Sequence, residues 1–350
     1  MIPDKNDPIL VTGGGGYLAS WILKHLLDDG YRVNTTVRDP SNADKNSHLL
    51  GLSGKYPGKL DIFKAELLEA GSFEKAMEGC RLVIHTASPF KVMKVRDAYR
   101  ELVKPAVTGT ENILNSVKNN PAVKKVVLTS SVAAVYGDGS EIERTEEGTF
   151  SEKDWNNTSR LNYLPYSYSK ALAEKKAWEL AGSQNSWQLA VINPGFVIGP
   201  SLSKRIDGTS VGIILSMANG KFRTGVPDLY FGIADVRDVA RAHVLAGFNS
   251  KALGRFIVTA ESLSMPDIAA ILVNLFGRRY PFPRSRIPKS LLYIFGPMLG
   301  YSWNYIRNNV AVPIRFDNSR SKNILGLKYR APAETLKDHI DQLERDELLP

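Results

Sequence analysis

Tyr166 and Lys170 stand four residues apart in Tyr-Ser-Tyr-Ser-Lys, at what reads as the opening turn of a helix. Positions i and i+4 stack on one helical face, so the phenol and the ammonium share a side while Tyr168 points elsewhere. A lysine charge close to a phenol favours the phenolate and draws its pKa from about 10 toward neutrality, which suits the hydroxyl to proton transfer. By itself the pentapeptide is also what a packed tyrosine beside a solvated lysine looks like. Its meaning rests on what the remaining chain places around it.

A second chemical signal lies at Thr12-Gly13-Gly14-Gly15-Gly16-Tyr17-Leu18-Ala19. The apolar run at 9–12 ends in these glycines, and Leu18, Ile22, Leu26 and Leu27 then recur at helical spacing, which predicts strand, tight turn and helix. Gly13 permits the turn, Gly16 lets a phosphate approach the backbone, and Ala19 lets helix and strand pack closely. A pyrophosphate then rests on the free N–H groups of the helix N-terminus. Thr12, Gly13, Gly16, Tyr17 and Leu18 are therefore dinucleotide-binding candidates. Further strands are expected at 31–37, 60–63, 81–85, 125–129 and 188–193, with helices over 72–77 and 97–118 between them. Such βαβ alternation predicts a doubly wound parallel sheet. Residues 137–164 read as a long acidic excursion, and the last 150 or so residues as a smaller mixed α/β region with helices over 209–218, 236–248, 265–276 and 333–344. The expected division is 1–195 for the dinucleotide, with contributions from about 232–260, and 196–350 mainly for the substrate.

Near the end of the second strand, where an acidic residue would hold the 2′-hydroxyl of NAD, the chain has Val37 and Arg38. A guanidinium suits the 2′-phosphate of NADP, with Lys45 near enough to assist. Asp39 could serve NAD, but the Pro40 after it marks a turn residue. Glu66 and Leu67, after the third strand, stand where adenine would be held.

Composition narrows the classes. The chain has 350 residues, 43% hydrophobic and 23% charged, and a formal charge of +9. No Lys/Arg run forms a basic arm, so no nucleic-acid partner is expected. The lone Cys80 excludes an internal disulfide and fits a reducing compartment, hence a cytoplasmic expectation. The N-terminal residues are too polar for a signal peptide. No His/Cys cluster has metal-ligand spacing. The apolar stretch 287–303 is broken by Pro288, Gly296, Pro297 and Gly300, too short for a membrane span, and reads as a packed helix or a lip over a pocket.

With the glycine turn and the Tyr166/Lys170 pair together, the sequence resembles the extended short-chain dehydrogenases/reductases, in the branch of dihydroflavonol 4-reductase and cinnamoyl-CoA reductase. The likeness extends through Thr-Val-Arg-Asp-Pro at 36–40, His-Thr-Ala-Ser-Pro at 85–89, Thr-Ser-Ser at 129–131, Asn-Pro-Gly at 193–195 and Asp-Val-Arg-Asp-Val-Ala at 235–240. It implies a Rossmann-type fold, NADP(H) as cofactor, and a catalytic set of Ser131, Tyr166 and Lys170. Ser131 would bond the substrate carbonyl, Tyr166 would deliver the proton as hydride arrives, and Lys170 would hold the nicotinamide ribose and lower the Tyr166 pKa. Pro194, Gly195 and Val197 would line the nicotinamide face, Thr86, Ala87 and Ser88 the ribose side, with Thr129 close by.

Three departures bear on the substrate. The long fourth helix offers no relay Asn over 104–110, Tyr136 stands where dihydroflavonol reductases carry Asn, and Asn-Tyr-Leu-Pro-Tyr-Ser-Tyr-Ser-Lys at 162–170 replaces the cinnamoyl-CoA reductase signature. The remaining pocket candidates are Phe90, Val92, Met93 and Val132, with Tyr136, Phe196, Ile213 and Tyr230. They suit a small carbonyl compound with an apolar or aromatic body, reduced by a monomer or homodimer. An NAD-dependent nucleotide-sugar epimerase, a hydroxysteroid dehydrogenase and a non-catalytic NADP sensor are the competing expectations.

Overall fold

The computed structural model describes residues 4–88, 95–204 and 208–349. In chain order its strands are β1 (Ile9–Thr12), β2 (Val33–Val37), β3 (Leu60–Lys64), β4 (Leu82–His85), β5 (Lys125–Thr129), β6 (Gln188–Pro194), β7 (Phe196–Ile198), β8 (Val226–Pro227), β9 (Tyr230–Asp235), β10 (Gly254–Val258), β11 (Glu261–Ser264) and β12 (Arg286–Ile287). Seven of them form one parallel sheet in the order β10-β6-β5-β4-β1-β2-β3. β1 and β4 are buried along their whole length, as strands covered on both faces are, which is why they read as continuous apolar runs.

The helices run α1 (Tyr17–Asp28), α2 (Ala43–Lys55), α3 (Glu74–Met77), α4 (Lys104–Lys118), α5 (Pro165–Gly182), α6 (Thr209–Ala218), α7 (Val236–Phe248), α8 (Met265–Phe276), α9 (Lys289–Phe295), α10 (Trp303–Asn309), α11 (Ser319–Asn323) and α12 (Pro332–Arg345). One core, with Ile22, Leu26, Val244 and Phe256, packs on one face of the sheet, and another, with Leu10, Val83, Ile113 and Val126, on the other. Burial there pushes the Cys80 thiol up to about 12, so it is inert at neutral pH. A separate core containing Ile214, Ile233, Leu272, Ile306 and Leu336 supports the C-terminal half, around the three-stranded sheet β11-β9-β7.

The expected doubly wound sheet is present, and its seventh strand, β10, comes from beyond residue 250. The sheet order reverses between β1 and β4, opening a crevice at their carboxyl ends. Two elements depart from expectation for visible reasons. α2 has no counterpart in the sequence reading because it buries only Asn46 and Leu49 and carries Gly51 and Gly54, which leaves a weak apolar stripe. The long helix expected from Asp97 opens instead as a π-helical turn at Tyr99–Val103, where the Lys104 N–H bonds the Tyr99 carbonyl. The regular α-helical stretch follows from Lys104, with Pro105, which has no N–H to donate, in its first turn. Among the described residues no helix is long and apolar enough to cross a membrane, and no group of His, Cys, Asp and Glu could hold a metal ion.

Candidate active site

The glycine turn sits at the β1/β4 crevice. Gly13 has φ +72°, and a Cβ there would come within 3.1 Å of the Ala87 backbone. At Gly14, the next residue of the turn, a Cβ would fall 2.2 Å from Thr35 Oγ1. Gly16 is instead the N-cap of α1, with no side-chain cap and no acidic residue in the first turn, which leaves the helix N-terminus open to an anion. Thr12 knits the two strand ends together: its Oγ1 pairs with His85 Nδ1 at 2.8 Å and accepts the Thr86 and Ala87 N–H groups, while Thr86 Oγ1 donates to the Thr12 carbonyl at 2.6 Å. Burial lowers the His85 pKa to about 3, so the ring is neutral.

Arg38 and Lys45 both lie exposed, one just past β2 and the other in the first turn of α2. The Asp39 carboxylate accepts the Ser41 N–H at 3.0 Å and the Ser41 hydroxyl at 2.5 Å, and these bonds hold it below the usual carboxylate range. It is thus a turn residue, as the following proline suggests. The Glu66 carboxylate turns back to the Leu67 N–H, Leu67 packs against Gly109 of α4, and Leu18 joins the core under the sheet. The Tyr17 hydroxyl donates to the Gly199 carbonyl at 2.7 Å, so its side chain braces the glycine turn to the C-terminal half. Taken together, an uncapped helix end, backbone too tight for side chains and two exposed cations fit a dinucleotide carrying an extra phosphate.

Ser131, just past β5, and Tyr166, in the first turn of α5, bring their side chains together, and the Ser131 hydroxyl acts to lower the phenol pKa. Ser131 Oγ also accepts the Ala133 N–H at 3.1 Å, capping a 3-10 turn at Val132–Ala134. Lys170 lies one turn beyond Tyr166 on α5, its Nζ 5.8 Å from the Tyr166 ring centroid and donating to Ser88 Oγ at 3.0 Å. The expected fall of the Tyr166 pKa is not what this geometry produces. Burial pushes the phenol up to about 12, opposed only by the Ser131 hydroxyl, while the Lys170 ammonium is engaged by Ser88. Burial lowers Lys170 to about 8, opposed by the Glu174 charge. At neutral pH Tyr166 keeps its proton and Lys170 keeps most of its charge.

Beneath them lies a buried network that the sequence reading does not reach. Glu174, 1% exposed, accepts from Ser130 Oγ at 2.5 Å, Asn193 Nδ2 at 2.7 Å, Arg255 Nε at 2.6 Å and Trp178 Nε1 at 3.3 Å. Asn193 Nδ2 also donates to the Ser131 carbonyl at 3.2 Å. This fixes β5, β6 and β10 relative to α5 at the site. The available signal was an acidic residue four positions after Lys170, on the same helical face. Ser88, Thr110, Ser130, Lys170 and Glu174 line a small cavity of about 20 Å³ here, room for one water. Thr129 also lines it, with its hydroxyl engaged by His243 Nε2 at 2.7 Å.

Next to Ser131 and Tyr166 a cavity of about 150 Å³ is lined by residues including Val132, Tyr136, Ser167, Tyr230, Phe231, Tyr305 and Asn309. Of the expected pocket residues, Val132, Tyr136 and Tyr230 are there. Phe196 stands behind the wall, 4.9 Å from Phe231 between ring centroids. Ile213 packs into the C-terminal core instead, because α6 turns that side chain toward its own support. Phe90, Val92 and Met93 lie outside the described residues. Tyr305 and Asn309 escaped notice because α10 is remote in sequence from every motif. Pro194 and Gly195 close β6, where a Cβ on Gly195 would meet the Gly232 carbonyl oxygen at 2.0 Å, and Val197 packs on the core beside α1.

Residues 9–258 match the model of the NAD dependent epimerase/dehydratase family. Cinnamoyl-CoA reductase CAD2 of Medicago truncatula is 36% identical over 341 residues, covering 96% of this chain and 95% of that one. Among solved structures, Gre2 of Candida albicans in complex with NADPH superposes with a TM-score of 0.81 at 28% identity, covering 97% of this chain and 99% of that one. The yeast methylglyoxal/isovaleraldehyde reductase Gre2 complexed with NADPH gives 0.79 at 28% identity with the same coverage. The chain therefore belongs to the NAD dependent epimerase/dehydratase family of extended short-chain dehydrogenases/reductases, in its cinnamoyl-CoA reductase and dihydroflavonol reductase-like branch.

Proposed function

We propose that the protein is an NADPH-dependent carbonyl reductase that converts an aldehyde or ketone with an apolar or aromatic body to an alcohol. The observation that carries this reading is the meeting of the Ser131 and Tyr166 side chains at the edge of an aromatic-lined cavity, beside an anion-ready glycine turn. Residues 1–195, with the strand and helix from about 232–260, hold the dinucleotide, and 196–350 mainly shape the substrate space. The helix N-terminus after Gly16 receives the pyrophosphate, Arg38 and Lys45 the 2′-phosphate, and Lys170 with Ser88 the ribose next to the reacting ring. When bound, NADPH supplies a hydride.

The chain's own part is to polarise and protonate. Ser131, its oxygen already fixed by the Ala133 N–H, and Tyr166 present two donors to a carbonyl oxygen entering from the cavity. Tyr166, held protonated by burial, gives up its proton to the developing alkoxide, a general-acid contribution of about 10²–10⁴-fold. The Lys170 charge next to the ring then stabilises the phenolate left behind. The water-sized cavity under Lys170, walled by Thr110 and Ser88, would hold a water to take part in reprotonation in place of the absent relay Asn. Support for the cofactor comes from the NADPH complexes of the Gre2 structures, and for the reaction class from the names of the reductase relatives. The departures at Tyr136 and 162–170 favour a free aldehyde or ketone over a flavonoid or a CoA thioester. An NADPH-oxidation panel of aromatic aldehydes, aliphatic aldehydes, 1,2-dicarbonyls and flavanonols, run beside NADH, tests this. Turnover with NADPH on the first three classes is expected. Tightly bound NAD without NADPH turnover would contradict it.

A further inference from the structure

The stretch 287–303, expected as a packed helix or a lip over a pocket, contains helix α9, packed on the C-terminal core through Leu292, and the turn that leads into α10. α9 and α10 form a short hairpin pinned from below by Leu292 and Ile306, which are 2% and 0% exposed, and closed by a Trp303 Nε1 bond to the Tyr293 carbonyl at 3.1 Å. A Cβ on Gly296 would meet Ile306 Cδ1 at 2.7 Å, so the two segments touch closely. Above this support the hairpin turns large apolar side chains to solvent: Met298 is 84% exposed, Trp303 66%, Ile294 and Leu299 65%, and Phe295 53%. A firmly anchored element that presents its apolar residues outward marks an interaction site.

The charge around it says what the site meets. Between Asp267 and Asp317 the sequence contains seven basic residues and no acidic one. Arg286 and Arg279 are paired with Asp228 and Glu344 from elsewhere in the chain. Lys289 and Arg307 flank the hairpin. Lys289 Nζ donates to the Arg307 carbonyl at 3.1 Å and to that of Val310 at 2.7 Å, while the Arg307 guanidinium bonds only Asn304 and Asn308 among the described residues. A second copy of the chain docking through this face about a two-fold axis would set basic surface against basic surface. An anionic lipid surface complements both features, with apolar side chains entering the acyl boundary and Lys/Arg meeting the headgroups.

We propose that the α9–α10 hairpin docks the protein on anionic bilayer surfaces, lying in the interface without spanning it. Tyr305 and Asn309 of α10 line the 150 Å³ cavity, so docking places that cavity beside the bilayer. The test uses the full-length protein and cosedimentation with phosphatidylcholine vesicles with and without phosphatidylserine. The account predicts at least about tenfold stronger partitioning with phosphatidylserine, weakening as salt rises. The triple variant Ile294→Ser, Phe295→Ser, Met298→Gln is expected to lose that binding while keeping its melting temperature and its NADPH-dependent turnover of a water-soluble aldehyde. Three results would overturn the proposal: no vesicle binding by the parent protein, undiminished binding by the triple variant, or a dimer in solution that this variant converts to monomer, which would make a second copy the occupant. Because vesicle binding is read without turnover, its failure is separable from failure of the reductase reading.

Discussion

Under Lys170 the polar groups are held by directional contacts. Glu174 takes four donors from three strands and its own helix, and Thr12 joins β1 to β4 through His85 and the Thr86 and Ala87 amides. On the aromatic wall of the 150 Å³ cavity the fixing is by shape instead: Tyr136 stacks on Phe150 at 4.7 Å, and Phe196 leans on Phe231 at 4.9 Å, while Asn309 on the far side is held by hydrogen bonds to Asp138 and Gly139. Hydrogen bonds hold an atom to a few tenths of an ångström and fail when one partner is lost, whereas aromatic packing tolerates replacement by something of similar volume. The floor of the site can therefore serve one chemistry while the wall is free to change its substrate.

The largest effect on the floor is expected from Glu174→Gln, which leaves the Arg255 guanidinium buried without its counter-charge. A loss of about 3–5 kcal/mol in urea unfolding is predicted. A change under about 1 kcal/mol would show that the network is not what fixes the strands. At the rim of the crevice, Arg38→Ala removes one charged contact, and the KM for NADPH is expected to rise about 10–100-fold with little change for NADH. Equal effects on both cofactors would remove Arg38 from the 2′-phosphate. On the wall, Tyr136→Ala should raise KM for aromatic aldehydes by about tenfold and leave small aliphatic ones nearly unchanged. A matching fall in kcat for both classes would mean that the wall also positions the chemistry.

Much of this contrast can be read from residue types, and the part that cannot has a physical cause. The βαβ alternation, the glycine turn and the Tyr166/Lys170 pair are local patterns, and they place β1, β4, β5 and α5 close to where the structure has them. Glu174 was reachable by helical spacing from Lys170, but its partners Arg255 and Asn193 meet it only once β6 and β10 pair. Tyr305 and Asn309 reach the cavity through α10, a seven-residue helix whose place depends on the C-terminal core and not on any motif. The direction of the Tyr166 shift is likewise tertiary, since burial by elements remote in sequence raises the phenol pKa, while Ser88, on the loop after β4, bonds the Lys170 ammonium that helical register sets nearby.

A pH profile gives the gentlest probe of the floor. Lys170 titrates near 8 because burial disfavours its charged form, so the ammonium is complete below that value and lost above it. If the charge stabilises the Tyr166 phenolate, kcat/KM falls above about pH 8 and is flat on the acid side down to neutrality. A plateau extending through pH 10 would separate Lys170 from the reaction.

The most direct test of the central claim, that Tyr166 donates the proton while the glycine turn and Lys170 hold the cofactor, is a paired measurement on Tyr166→Phe. The account predicts NADPH binding, followed by nucleotide fluorescence, within about threefold of the parent, and kcat for aldehyde reduction lower by about 10²–10⁴-fold. Parent-like turnover in that variant would contradict it.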